Sequence, residues 1–135
     1  MPPSVPEHEI TSPAGQSLAV SVEVLYLANL LLLPGLAFVV LLILYVRHIK
    51  QAPPLAVCHL RQTMSASIWA AVILILVNVV IIAMGGYASS WTWVIVILYF
   101  TLCHSALVLL GTMGLAKAMA GKTYRFPLVG RPCEA

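Results

Sequence analysis

Charge is scarce in this chain. Among 135 residues, seven are Lys or Arg and four are Asp or Glu, 8% together, whereas a soluble domain carries roughly 25%. That shortage excludes a water-facing globular surface, and a hydrophobic content of 61% excludes disorder over most of the length. Alternation of apolar and polar residues over about ten positions, the mark of a membrane barrel strand, is also missing. The first 20 residues lack both a basic stretch and an apolar core, so no cleavable signal peptide is expected. What remains is a helical integral membrane protein.

Three apolar runs are long enough for the about 20 residues a bilayer crossing needs. They cover about 24–46, 66–84 and 91–116, and none contains Lys, Arg, Asp or Glu. The expected architecture is all-α with three transmembrane helices over 21–120, preceded by a Pro-rich acidic arm (1–20) and followed by a basic tail (121–135). The arm reads as flexible and exposed, or as a docking strand for a partner.

All seven basic residues flank the runs on one side. Arg47, Lys50 and Arg61 lie between the first two, and Lys117, Lys122, Arg125 and Arg131 at the end of the third or beyond it. Glu7, Glu9 and Glu23 precede or open the first run. Basic residues stay in the cytoplasm, so the N-terminus is expected outside and the C-terminus inside. Tyr26, Tyr87, Trp91 and Trp93 would mark the outer interface, Tyr45 and Trp69 the inner one. Cys58 and Cys133 then face a reducing compartment and Cys103 lies in a span, so no disulfide is expected.

Polar residues at membrane depth need internal partners. At ~1.5 Å per residue, Asn78 and His104 each stand roughly 18 Å from the inner end of their spans. The reading is an interhelical polar contact between them. Small residues agree with it: Gly111, Gly114 and Ala118 share a helical face with His104, and Ser67, Ala71 and Gly85 share one with Asn78. The first run is bulky all round, and Pro34-Gly35 should kink it near its middle.

Cofactor and catalytic constellations do not assemble. Haem needs paired axial ligands, but His48 and His59 stand at the surface, far from His104 in depth. Zinc wants four converging ligands, and the dipeptides Cys58-His59 and Cys103-His104 lie at different depths. Residues 116–123 differ from a phosphate-binding loop in the first glycine and lack the strand–loop–helix context the motif requires. No metal, cofactor or nucleic-acid partner is expected, and no catalytic residue is assigned.

The cytoplasmic side carries the most distinctive sequence. His59-Leu60-Arg61-Gln62 opens the second span, and Gly121-Lys122-Thr123-Tyr124-Arg125-Phe126-Pro127 follows the third. His59, Arg61, Lys122, Tyr124 and Arg125 form a surface suited to anionic lipid head groups or an acidic partner loop. These two segments resemble small bacterial membrane proteins related to the twenty-kilodalton channel subunit of the chloroplast inner-envelope translocon, over about 30–130. Where that family often has Asn soon after the His-x-Arg-Gln motif, this chain has Thr63, Met64 and Ser65, and the plastid protein has four spans. The resemblance implies a fold type and raises a protein-conducting role. The expected function is a non-catalytic accessory or scaffold subunit of a larger complex in the inner (plasma) membrane. The alternative is a pore or translocation component formed by oligomerisation.

Overall fold

The computed structural model describes residues 11–133, and the first half of the acidic arm, with Glu7 and Glu9, lies outside the described residues. Every regular element among the described residues is helical. Helix α1 is Gln16–Leu31, α2 is Leu36–His48 and α3 is Pro54–Ala83. Helix α4 is Trp91–Met119, with a π-helical turn at Tyr99–His104. Helices α3 and α4 are long and apolar enough to cross a membrane, about 45 Å each at the α-helical rise.

Their ends follow from local chemistry. Pro54 opens α3 at the position where a missing N–H costs nothing. Gly86, at φ +78°, closes it by returning its N–H to the Ile81 carbonyl at 2.9 Å. The Thr92 hydroxyl then donates to the Gly86 carbonyl at 2.8 Å, tying the short turn to the start of α4. A turn this short makes α3 and α4 antiparallel neighbours.

The first apolar run does not form one kinked span. It breaks into two helices, each shorter than a crossing. Pro34 has no N–H to offer, and Gly35 adopts φ +87°, which reverses the chain at little cost only for glycine. The turn's amides are nonetheless paired. Leu32 and Leu33 both donate to the Ala28 carbonyl, at 3.0 and 2.8 Å, and Gly35 donates to Asn29 Oδ1 at 3.0 Å. With its backbone satisfied, the turn can sit where no water is available. Helix α2 folds back on α1, and Val22 and Leu41 pack with Leu60 and Met64 of α3.

This hairpin corrects the expected arrangement of the ends. Gln16 at the start of α1 donates to the Met119 carbonyl at the end of α4, 2.7 Å away. Gly15 fits against Pro53 and Ala56, where α3 begins. The starts of α1 and α3 and the ends of α2 and α4 therefore share one end of the molecule. The N-terminal segment is not opposite the basic tail but beside it.

Helix α1 also takes the place expected for α3. Gly111, Gly114 and Ala118 do not face Ser67, Ala71, Asn78 and Gly85. They receive Tyr26, Glu23 and Ala19 of α1, which inserts between α3 and the second half of α4. Tyr26 is fully buried, and its hydroxyl donates to the Leu107 carbonyl at 3.0 Å. A membrane hydrogen bond of this kind averages only about 0.6 kcal/mol. Close approach over residues that lack bulk contributes the larger share of α1–α4 packing.

Candidate functional site

The polar residues of the shared end converge on one buried cluster. Glu23, His59, Gln62 and Thr63 have no exposed surface. His59 stands about 8 Å above the start of α3, level with Glu23 of α1. Its Nδ1 lies 2.6 Å from Glu23 Oε1, and its Nε2 donates to the Lys122 carbonyl at 3.0 Å. A carbonyl can only accept, so Nε2 carries a proton. The other proton is shared along the Nδ1–Oε1 axis. The second carboxylate oxygen, Oε2, has no hydrogen-bond partner among the described residues and lies against Gly114.

One turn further along α3, Gln62 holds the tail. Its Oε1 accepts from the Phe126 amide at 3.2 Å, and its Nε2 donates to the Arg131 carbonyl. Ser65 donates to the Val129 carbonyl at 2.6 Å. Phe126 is 1% exposed and packs beside Tyr26 and Tyr124, with ring centroids 5.8 and 5.6 Å apart. Spacing explains the set. His59, Gln62 and Ser65 recur every three residues, so one stripe of α3 faces the folded-back tail. The two segments that carry the family resemblance thus bind each other.

Two further expectations are corrected here. Cys58 and Cys133 form a disulfide, with Cα atoms 5.1 Å apart, although none was expected on this side. His59 is no surface contact for lipid or partner, because it is sealed between α1 and the tail. Arg61 is half-buried and lines a cleft with Lys50 and Cys133. Tyr124 is half-buried, and the side chains of Lys122 and Arg125 are exposed. The basic surface is therefore present without its histidine.

Asn78 and His104 do not pair. Asn78 donates to the Leu74 carbonyl at 2.8 Å and accepts from the Tyr87 hydroxyl. His104 packs beside Phe100, with centroids 5.1 Å apart, at the other end of the π turn from Tyr99. The reason is their level along the helices: Asn78 stands near the α3–α4 turn, bonded to Tyr87, whereas His104 lies across from Ser67, Ala71 and Leu74.

The sequence reading missed Glu23, Gln62, Ser65, Asn29 and the disulfide. A signal for Glu23 existed. Ala19, Glu23 and Tyr26 share one helical face, so a lone acid interrupts an otherwise apolar stripe. Chemically, the cluster is built as a clamp between helix ends and tail. Its carboxylate and imidazole are inaccessible to a substrate, and no group of three His, Cys, Asp or Glu converges among the described residues. No protein family, curated protein or solved structure matches the chain.

Proposed function

We propose that this chain is a non-catalytic accessory or scaffold subunit of a larger complex in the inner (plasma) membrane, docking through its basic end. One observation carries the reading. His59 and Gln62 of the distinctive motifs are consumed in clamping α3 to the tail, and basic side chains remain outside. Arg47, Lys50, Lys122, Arg125 and Arg131 are all exposed, while the one carboxylate side chain among the described residues, Glu23, is buried. The basic surface that the described residues form attracts anionic lipid or an acidic partner loop, at about 1 kcal/mol per basic residue near a charged membrane.

The same bias sets the topology. Helices α3 and α4 cross the bilayer, and the α1–α2 hairpin dips in from the basic side and returns. Both ends of the chain are then cytoplasmic by the positive-inside rule, in place of three spans with an external N-terminus, although the Cys58–Cys133 disulfide at that end is of a kind rare in a reducing compartment. The tip of the hairpin, Leu31, Leu32, Leu33 and Leu36, is exposed and wholly apolar, as a lipid-embedded turn requires.

Native purification in mild detergent with mass spectrometry of co-purifying chains tests the function. A stable partner lost on Lys122→Ala with Arg125→Ala, with membrane insertion intact, is the expected result. A homo-oligomer with no partner would favour the pore or translocation reading instead. For topology, an impermeant thiol reagent should fail to label Ser12→Cys and Thr123→Cys in intact cells and should label both after permeabilisation. Labelling of position 12 alone in intact cells would restore the external N-terminus.

A further inference from the structure

A second group of polar residues lies deeper than the clamp. A cleft of about 380 Å³ opens between the hairpin turn, the middle of α3 and the π turn of α4. Asn29, Phe38, Ser67, Tyr99, Phe100 and His104 are among its lining. Its volume falls in the range of about 300–1,000 Å³ typical of small-molecule sites. Ser67 stands some 20 Å along α3 from its start.

The polar atoms here are under-used. Ser67 is 2% exposed, and its hydroxyl has no hydrogen-bond partner among the described residues. The Tyr99 hydroxyl and the His104 ring likewise have none among the described residues. The π turn is the local cause of the grouping. It adds a residue to the helical turn, Ser105 bonds back to the Phe100 carbonyl at 2.8 Å, and Tyr99, Phe100 and His104 all reach the cleft. Such turns recur at functional sites. Pro34, Gly35, Leu74 and Phe100 on the rim are exposed, so the opening faces the surroundings of the helices.

We propose that this cleft binds a quinone: a flat, lipid-soluble ring carrying carbonyl acceptors. The reasoning uses depth and hydrogen-bond type together. With α3 and α4 in a bilayer, a ligand reaching the cleft must dissolve in lipid. An acyl chain meets that condition but leaves Ser67, Tyr99 and His104 unpaired. A quinone carbonyl accepts from hydroxyl and imidazole N–H groups, and its ring offers a face to Phe38 and Phe100. Binding is non-covalent, and no electron transfer is part of the proposal. The site is separate from the basic docking surface and shares with it only the membrane setting.

Photolabelling of the full chain in phosphatidylcholine nanodiscs tests it, with an arylazido ubiquinone as probe and decylubiquinone and dioleoylglycerol as competitors. Cross-links should map to residues 29–38, 67–74 and 99–104, and decylubiquinone alone should compete. His104→Leu should weaken labelling about fivefold to tenfold, as loss of one hydrogen bond implies. Ala71→Phe, which fills the cleft from α3, should abolish it while the circular dichroism is retained. Should His104→Leu fail to fold, Ala71→Phe decides. Labelling spread along α2 beyond residue 38, equal competition by dioleoylglycerol, or an Ala71→Phe variant labelled like the parent would overturn the assignment.

Discussion

The carboxylate of Glu23 occupies the space that a side chain at Gly114 would need. A methyl group at position 114 would stand 2.5 Å from Glu23 Oε2, closer than carbon and oxygen can approach. The acid of α1 and the glycine of α4 are thus two halves of one fit, and the small residue is what admits the carboxyl group between helices.

Gly114→Ala should therefore destabilise the protein by about 1–3 kcal/mol, the usual cost of overpacking. Met113→Ala, at an exposed neighbour, should change stability by less than about 0.5 kcal/mol. Thermal unfolding in detergent compares them, and equal midpoints would contradict the fit.

Removing either member of the Glu23–His59 pair leaves its partner buried without compensation, at a cost of about 3–5 kcal/mol. Glu23→Ala and His59→Ala together should cost clearly less than the sum of the two, because the groups interact directly. A double-mutant cycle on unfolding free energies measures this. Additive effects would mean that the contact carries no coupling.

Asn29→Ala removes the acceptor for the Gly35 N–H, and no water waits at an apolar turn to replace it. The expected cost is about 1–3 kcal/mol, concentrated in the hairpin. Spin labels at Ser17 and Val46, both exposed, should show a broadened distance distribution in the variant. An unchanged distribution would assign the turn's stability to Pro34 and Gly35 alone.

Breaking the Cys58–Cys133 link should loosen the tail while α4 persists. Trypsin should cleave after Arg125 faster in Cys133→Ser than in the parent, and cleavage after Lys117, inside α4, should not change. The hydrogen bonds from Gln62 and Ser65 limit the effect, so Cys133→Ser with Gln62→Ala should be faster still. Identical rates at Arg125 in all three proteins would show that the tail needs neither restraint.

The two long helices were readable because apolar length is a one-dimensional property that a sequence displays directly. The hairpin was not. Residues 24–46 are apolar throughout, so composition alone cannot separate a kink at Pro34 from a reversal. The difference is made by Asn29, which caps Gly35 across six positions. Once that reversal is missed, Glu23 is placed at a membrane edge and the glycine face of α4 is assigned to α3. The pairing of His59 with Lys122 and of Gln62 with Phe126 was half legible: the two segments stood out as motifs, but only folding shows that they are each other's partners.

The hairpin's reach has a mechanical consequence. Four helices stand side by side at the basic end, and beyond the turn at residues 32–35 only α3 and α4 continue. If α3 and α4 cross a bilayer as proposed, that bilayer meets a wide cross-section in one leaflet and a narrow one in the other. The protein is a wedge. Lipids must splay to follow its taper, so a curved membrane with its broader leaflet on the basic side relieves packing stress that a flat one retains. Many copies gathered in one patch would bend that patch, and membrane curvature would in turn decide where the copies gather.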